Sequence, residues 1–460
     1  MKKFIIGSLL LLGSAMSLAQ CPVVPILLTT QAEIDNFAAN YPNCYVLTHE
    51  FKVDGENSNI TNLNGLSSIA NAQNFYILRT GITSLSGLEN LSSTAHFSIG
   101  FNPNIQNLNG LSGLQSVDEF TIWFNPGLTS VDGIPNLQSI ERLNMFQNYT
   151  LNDITAFSSI ESLVSLSIAG NGMTSLVGLE NLHTVEEDVF ISNELLQDFD
   201  PLSNLTTVKG SLYLWNHTQL QDLSAFSNLT TVVDLFVVGA TILTNLTGLD
   251  NITTVSGRLR IGYNPALTDL SALHQLSYVG DLDIYENANM TSLMGLENLL
   301  EIQQTLYILD NPILTDISAL QNVTPFEVDQ VVIQRNANLA MCNNDFICAV
   351  LDIPAVDKVF ENNAPGCNSV AEIETSCILS VLDEVPPGTI SVYPNPVSEM
   401  LFISVPVTIS MEKASLYTVL GQRLMESTGK NIDISYLTDG IYLLRITTNR
   451  GRINKKIIKQ

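Results

Sequence analysis

The chain has 460 residues, is 45% hydrophobic and only 14% charged, and carries a formal net charge of −26. It is long enough to bury a large core in more than one domain, and with charge so scarce its solubility rests on Asn, Ser, Thr and Gln. Residues 21–389 hold 8 Lys and Arg against 40 Asp and Glu, an acidic body that repels phosphate and excludes nucleic-acid or anionic-membrane partners. Residues 390–460 hold 9 against 5, so the sign changes near 390 and marks a domain boundary there.

In chain order, Lys2-Lys3 precede the apolar run Phe4–Leu12, and Ser17-Leu18-Ala19 supplies the small residues of a signal-peptidase site. Residues 1–19 therefore read as an export signal. Gln20, standing where a lipoprotein needs a small residue, argues against a lipid anchor on Cys21. No later run reaches 18 apolar residues, so no transmembrane segment is expected in the mature chain. An exported chain keeps its six cysteines oxidised. Cys21 and Cys44 lie in residues 20–64, an expected N-terminal cap and first coil with a helix over Thr30–Asn40, and are expected to pair.

The pentapeptide GLENL occurs at Gly87–Leu91, Gly178–Leu182 and Gly295–Leu299. Comparable openings fall between its copies at intervals of 22 to 24 residues, so it marks the phase of an internal repeat over residues 65–341. Within each unit an L-x-I core (Leu212/Leu214, Leu259/Ile261, Leu282/Ile284, Leu306/Ile308) alternates with period two and predicts a short strand with those residues inside. Consecutive coils stack these strands into a parallel sheet, about 4.8 Å apart. An Asn follows the strand in most units: Asn102, Asn125, Asn148, Asn171, Asn216, Asn264, Asn287, Asn311 and Asn336. A stacked column of amides there pairs the backbone groups that turn away from the sheet. The L-T-x-L segment (Leu128–Val131, Leu267–Leu270, Leu314–Ile317) predicts a second short strand.

The L-x-x-L-x-x-V-x-G-x-L-x-I-x-x-N-P-x-L-T-x-L pattern resembles leucine-rich repeats, most closely the receptor L-domain variety. The fold class expected is mainly β: a right-handed parallel β solenoid of about a dozen 22–24-residue repeats with disulfide-stapled caps, followed by a small Ig-like β-sandwich. Such solenoids serve as binding surfaces for very different ligands, so the resemblance speaks to architecture and not to activity. Cys342, Cys348, Cys367 and Cys377 fall in residues 342–381, an expected C-terminal cap, and three connectivities remain open among them.

A turn-rich linker over 382–389, with Pro386-Pro387-Gly388, leads to residues 390–460. These open with Tyr393-Pro394-Asn395-Pro396, continue through SLYTVLGQRLME and NIDISYLTDGIYLLRITT, and end in GRINKKIIKQ. Short alternating strands split by Gly-containing turns make a small sandwich. The motif order, carried by Tyr393, Pro394, Asn395, Pro396, Gly421, Gly440, Tyr442, Lys455 and Lys456, closely resembles the C-terminal sorting domain of type IX secretion. The resemblance implies recognition by an outer-membrane translocon and removal by a sortase-like peptidase. It also implies a secreted protein at the outer surface of a Gram-negative bacterium.

No catalytic motif for zinc hydrolysis, nucleophilic serine, phosphate or dinucleotide binding is present. His49, His96, His183, His217 and His274 fall at unrelated phases of the repeat and read as solvated or packed. Neither C-x2-4-C pairs nor helping histidines support a metal, and no cofactor is expected. Asp281 and Asp283 could form a carboxylate pair, but stacking in register puts Arg258 and Arg260 beside them, an ion-pair ladder. With L-x-I inward, Tyr76, Trp123, Phe146, Phe190, Tyr213, Trp215, Phe236, Tyr285 and Tyr307 face outward. Large rings on a solvent-facing sheet typify recognition surfaces for sugar or protein. The reading is a secreted, non-catalytic binding or adhesion protein, with a structural spacer as the alternative.

Overall fold

The computed structural model describes residues 21–56, 59–325, 327–384, 390–406, 409–418, 423–448 and 451–460. The export signal, Gly421 and linker residues 385–389 lie outside them, and the backbone of the helix Val370–Glu384 takes up the start of the expected linker. The chain forms two compact units, one of Met1–Leu163, Ser167–Met173 and Val177–Asn181, the other of Val164–Leu166, Thr174–Leu176 and Leu182–Gln460.

In the first unit the strands Ile26–Leu28, Val46–Asp54, Asn71–Leu78, Ser93–Gly100, Ser116–Trp123 and Ser139–Phe146 pair in parallel, each with the next. In the second half of Asn71–Leu78, Ser116–Trp123 and Ser139–Phe146 alternate residues are buried, as the period-two pattern requires. Inside, Phe37, Phe51, Phe75, Phe97, Phe120 and Phe157 form a continuous column, with successive ring centroids 5.4, 4.9, 5.8, 5.5 and 6.3 Å apart. All six are fully buried. Tilted, stacked and edge-on rings at these separations add to the gain from burial alone.

In the second unit Val189–Ser192, Leu212–Trp215, Leu235–Val238, Thr254–Gly262, Tyr278–Tyr285, Glu301–Leu309, Gln330–Gln334 and Asp357–Glu361 continue the same parallel pattern. The sheet of each unit thus reaches into a cap segment, at Ile26–Leu28 in the first and at Asp357–Glu361 in the second.

The structure explains GLENL residue by residue. Gly87, Gly178 and Gly295 have φ of 106°, 116° and 110°, a left-handed backbone that favours glycine. A Cβ there would also sit 2.3, 2.2 and 1.9 Å from a backbone carbonyl oxygen of the preceding coil. Both leucines of each copy are fully buried. The Glu carboxylate turns back to accept the glycine N–H at 2.9 Å, and the Asn amide donates to a carbonyl one coil earlier at 2.8 Å.

The amide column is present. Asn125 Nδ2 donates to the carbonyls of Ile99 and Trp123 at 3.1 and 3.2 Å, while its Oδ1 accepts the Asn102 N–H at 3.1 Å. Asn102, Asn148, Asn264, Asn287, Asn311 and Asn336 repeat the arrangement, and Asn363 extends it into the cap. Asn216 does not belong to it. Asn216 is exposed with φ 57° at the preceding corner, and the buried column position one residue on is held by His217. The other column residues also lie three after the last inward strand residue, which is where His217 lies after Leu214. The next coil puts Ala240 there, its N–H donating to Asn264 Oδ1 at 2.8 Å.

The expected second strand at L-T-x-L is not formed. Successive coils meet there through isolated bridges such as Ser130↔Asp153 and Ser292↔Asp316, and through single bonds such as Thr291 N–H to the Thr268 carbonyl. Each segment turns too tightly to run a ladder. The short extra strands sit instead just before the core strand, as at Thr184–Val185 and Thr207–Val208.

In the N-terminal cap the expected helix is two short ones, Gln31–Asp35 and Phe37–Asn40. A capping box starts the first: Thr30 Oγ1 accepts the Glu33 N–H at 3.3 Å and Glu33 accepts the Thr30 N–H at 3.0 Å. Cys21 pairs with Cys44, and the C-terminal cap resolves to Cys342–Cys367 and Cys348–Cys377. Both caps close over ends that would otherwise expose core. Thiol labelling of the denatured exported protein is expected to find no free cysteine, and labelling at Cys21 or Cys44 would contradict the N-terminal staple.

The C-terminal domain has two antiparallel sheets. Arg423–Ser427, Met411–Thr418, Gly440–Thr448 and Gly451–Lys459 form one in that order; Ser391–Tyr393, Met400–Ser404 and Asn431–Asp433 form the other. They share a core that includes Leu401, Ile403, Ile432, Leu416, Leu444 and Ile457, as a sandwich requires.

Candidate functional site

All nine aromatic residues singled out from the sequence are half-buried on the outward side of their strands, opposite fully buried neighbours. The two units bring different sets together. In the second, Phe190, Tyr213, Phe236, Arg260, Asp283 and Tyr307 occupy one in-register row across the strands. Tyr213 lies 6.5 Å from Phe190 and 4.9 Å from Phe236, and Trp215 lies 6.2 Å from Phe236. The Arg260 guanidinium sits 5.0 Å from the Phe236 centroid and 5.8 Å from that of Tyr285, a cation held between two rings. Tyr285 in turn folds over Gly262, where any Cβ would strike its ring.

The ion-pair ladder is formed as the register implies. Arg258 Nη2 meets Asp281 Oδ2 at 3.1 Å and Arg260 Nη2 meets Asp283 Oδ2 at 2.9 Å. Asp281 Oδ1 further accepts the Thr305 hydroxyl at 2.6 Å. Asp283 is only 4% exposed. Burial pushes its carboxyl above the usual carboxylate range, against the pull of Arg260 and Arg258. Burial likewise raises the phenols of Tyr76, Tyr213 and Tyr285 above their ordinary value. The Tyr213 hydroxyl donates to Asp234 Oδ2 at 2.9 Å, and that of Tyr307 donates to Gln330.

Two buried side-chain polar atoms among the described residues have no hydrogen-bond partner: Trp215 Nε1 and Asp283 Oδ1. Both belong to this outward face.

In the first unit Trp123 and Phe146 are neighbours in one outward row, and Tyr76 lies apart from them in another. The Trp123 ring covers Gly100, and its Nε1 donates to Ser98 Oγ at 3.2 Å. Sequence reasoning missed the residues at the corners beyond the strands. Phe101, Phe124, Tyr149 and Tyr263 are exposed, and Phe101, Phe124 and Tyr263 have positive φ. The available signal was an aromatic beside a column Asn, immediately before it at Phe101, Phe124 and Tyr263 and immediately after it at Tyr149. Near Tyr263, Gly239 helps shape an open depression of about 450 Å³ bordered by Glu194, Asn216, Thr241 and Glu286. No group of three or more metal-ligating side chains occurs among the described residues.

In the C-terminal domain the Y-P-N-P motif clamps the basic end. Asn395 Nδ2 donates to the Lys456 carbonyl at 2.7 Å and its Oδ1 accepts the Ile458 N–H at 2.8 Å. Lys455 is half-buried and Lys456 exposed on that last strand. Tyr393 is exposed and stacks 6.0 Å from Phe402. Tyr442 is buried, its hydroxyl donating to the Thr438 carbonyl at 2.7 Å, two residues beyond Gly440 at the strand start.

Residues 391–460 match the family model described as the secretion system C-terminal sorting domain. The chain is therefore exported by type IX secretion to the outer surface of a Gram-negative bacterium. No curated protein matches the chain. Among solved structures, the crystal structure of an internalin from Listeria monocytogenes is similar at 17% identity and a TM-score of 0.42, covering 75% of this chain and 86% of that one.

Proposed function

We propose that the repeat region is a non-catalytic binding or adhesion module of the cell surface, taking a protein or glycan on the outward face of the second unit. The observation that carries this reading is the place of Trp215 Nε1 and Asp283 Oδ1. A polar atom buried without a partner costs roughly 1–3 kcal/mol, and native chains keep few of them. Here one donor and one acceptor lie on the outward side of a single sheet, beside Tyr213, Phe236, Arg260 and Tyr285. Aromatic and Arg side chains dominate binding hot spots. Both atoms are covered, so a ligand meets them only by displacing neighbouring side chains, and one that does so with an acceptor for Trp215 and a donor for Asp283 relieves both deficits.

The alternative, a spacer without a defined ligand, draws on the same rings: Tyr213, Phe236 and Arg260 stack on one another from coil to coil, which stabilises a parallel sheet by itself. A glycan and protein array probed with the secreted chain, repeated with Trp215→Ala, separates the two. Binding that the substitution abolishes supports a ligand face, and an array without hits favours the spacer.

Delivery works through the sorting domain, read by the translocon and cut off by a sortase-like peptidase. The mature surface protein is expected to lack residues 1–19 and everything from about residue 390 onward. Intact mass decides it, and a mature species that retains Lys455-Lys456 would sink this processing scheme.

A further inference from the structure

The first unit carries a second aromatic surface that the strand-face reading does not use. Phe101, Phe124 and Tyr149 are 38%, 36% and 56% exposed. Phe101 and Phe124 sit at the corners of successive coils and Tyr149 two residues past the next corner, with ring centroids 4.9 Å apart from Phe101 to Phe124 and 6.3 Å from Phe124 to Tyr149. Trp123 closes the group from the sheet side, 4.5 Å from Phe101.

Phe101 and Phe124 have φ of 56° and 51°. Bulky side chains are rarely found in this left-handed region, whereas Asn and Gly accept it. The same corner is filled in other coils by Arg79, Gln147, Gly170, Asn216, Gly239, Tyr263, Glu286, Asp310 and Arg335, of which Tyr263 alone is aromatic. Two phenylalanines in succession therefore stand against both the local backbone preference and the hydrophobic effect. Residues held in sparsely populated backbone conformations concentrate at ligand-binding sites, and the observed outlier motivates a functional hypothesis.

The neighbouring row decides what kind of ligand. Ser98, Thr121 and Asn144 stand side by side in register on the outward face, between the Trp123 and Phe146 row and the row holding His96 and Glu119. Glu119 is oriented by its neighbours: Oε1 accepts Asn144 Nδ2 at 3.2 Å, and Oε2 lies 2.9 Å from His96 Nδ1. Hydroxyls, an amide and a carboxylate beside exposed rings provide hydrogen-bond donors and acceptors together with flat apolar faces. A protein hot spot is instead an apolar or Arg anchor sealed from water. The net −32 over residues 21–389 repels polyanions.

Resting on the binding-module reading but placing a site on the other unit, we infer that Phe101, Trp123, Phe124 and Tyr149 form a platform for a neutral polysaccharide. Its chain runs from coil to coil. The rings advance by about one rung per coil, near 4.8 Å, so an extended polymer with a flat C–H face on every sugar meets one ring after another. Ser98, Thr121, Asn144 and Glu119 take its hydroxyls.

The test is affinity electrophoresis of the full secreted chain in gels containing mannan, xyloglucan or laminarin, with alginate as the anionic control. At least one neutral polysaccharide should retard the chain and alginate should not. Phe124→Asn should weaken the retardation about tenfold or more, as loss of a central aromatic contact does. Its melting temperature should hold or rise, because Asn fits the corner. Trp215→Ala should leave the retardation intact. In a Trp215→Phe background the same polysaccharide should shift the fluorescence of Trp123, the remaining tryptophan. Retardation lost in Trp215→Ala but kept in Phe124→Asn overturns this site while supporting the face on the second unit. Absence of retardation by every neutral polysaccharide overturns it too, as does array binding to a protein alone. A fall in melting temperature for Phe124→Asn makes the ring structural and ends the proposal.

Discussion

Leu214→Ala is expected to cost about 2–5 kcal/mol of stability, and Trp215→Ala far less, although the two residues are adjacent in one strand. Leu214 is 1% exposed and points into the core with Leu212. Truncating it removes buried apolar surface and leaves a cavity between coils that stack in register and cannot easily collapse. Trp215 is on the opposite side, half-buried, with its ring 6.2 Å from Phe236 and its Nε1 unpaired. Removing it gives up a partial ring contact and also removes a buried donor that has no partner, two changes of opposite sign. Its effect should appear in binding, where loss of a hot-spot ring costs on the order of 1–3 kcal/mol. Urea unfolding and titration with whichever array ligand is found measure the two separately. Equal destabilisation by both substitutions would mean the strand's sidedness is wrong. No effect of Trp215→Ala on either fold or binding would leave the row of rings as internal stacking, and the spacer reading would replace the ligand face.

What was legible in the sequence is what repetition amplifies. One L-x-I pair predicts little, but the same pair every 22 to 24 residues fixes the strand, its inward side and its register with the next coil. The pairs Arg258↔Asp281 and Arg260↔Asp283 could be written down from that spacing, and they are formed. Features set by a single residue's backbone were not legible. The error at Asn216 came from taking the nearest Asn after the strand, when the column lies one position later and a left-handed corner residue intervenes. Phe101, Phe124 and Tyr149 were missed for the same reason: period-two logic has nothing to say about side chains beyond the strand end. The L-T-x-L strand failed because its buried residues stand three apart, as Leu128 and Val131 do, which is the spacing of successive turns and not the period two of a strand. Unpaired atoms such as Asp283 Oδ1 depend on the whole neighbourhood and leave no trace in spacing.

Replacing His217 by Asn, the residue that most coils place in the column, is expected to raise stability and to remove a specific loss of stability in acid. His217 is fully buried, with Nδ1 and Nε2 each 3.1 Å from a carbonyl oxygen, those of Asn193 and Ile191, and Phe199 edge-on at 5.1 Å. Burial lowers its pKa from 6.5 to about 4, outweighing the two carbonyls, which favour the charged form. The neutral ring donates from one nitrogen only, so one carbonyl faces a lone pair. An Asn amide donates to two carbonyls, as Asn125 does. The pH dependence follows from the sign of the shift. Above pH 6.5 the ring is neutral in both states and contributes no slope. Between 6.5 and about 4 the unfolded chain takes up a proton that the native chain refuses, so stability falls as the pH falls, and below about 4 the penalty is constant. At about 1.4 kcal/mol per pH unit the full penalty is roughly 3–4 kcal/mol. Urea unfolding of the parent and of His217→Asn at pH 7 and pH 4.5 isolates it, since the many carboxylates titrate alike in both. The gap between the two proteins should widen by about 2–3 kcal/mol at the lower pH. A gap that stays the same would mean that the buried ring is protonated in the native state, its two carbonyls holding the charge, and that the column tolerates an imidazolium where it otherwise uses an amide.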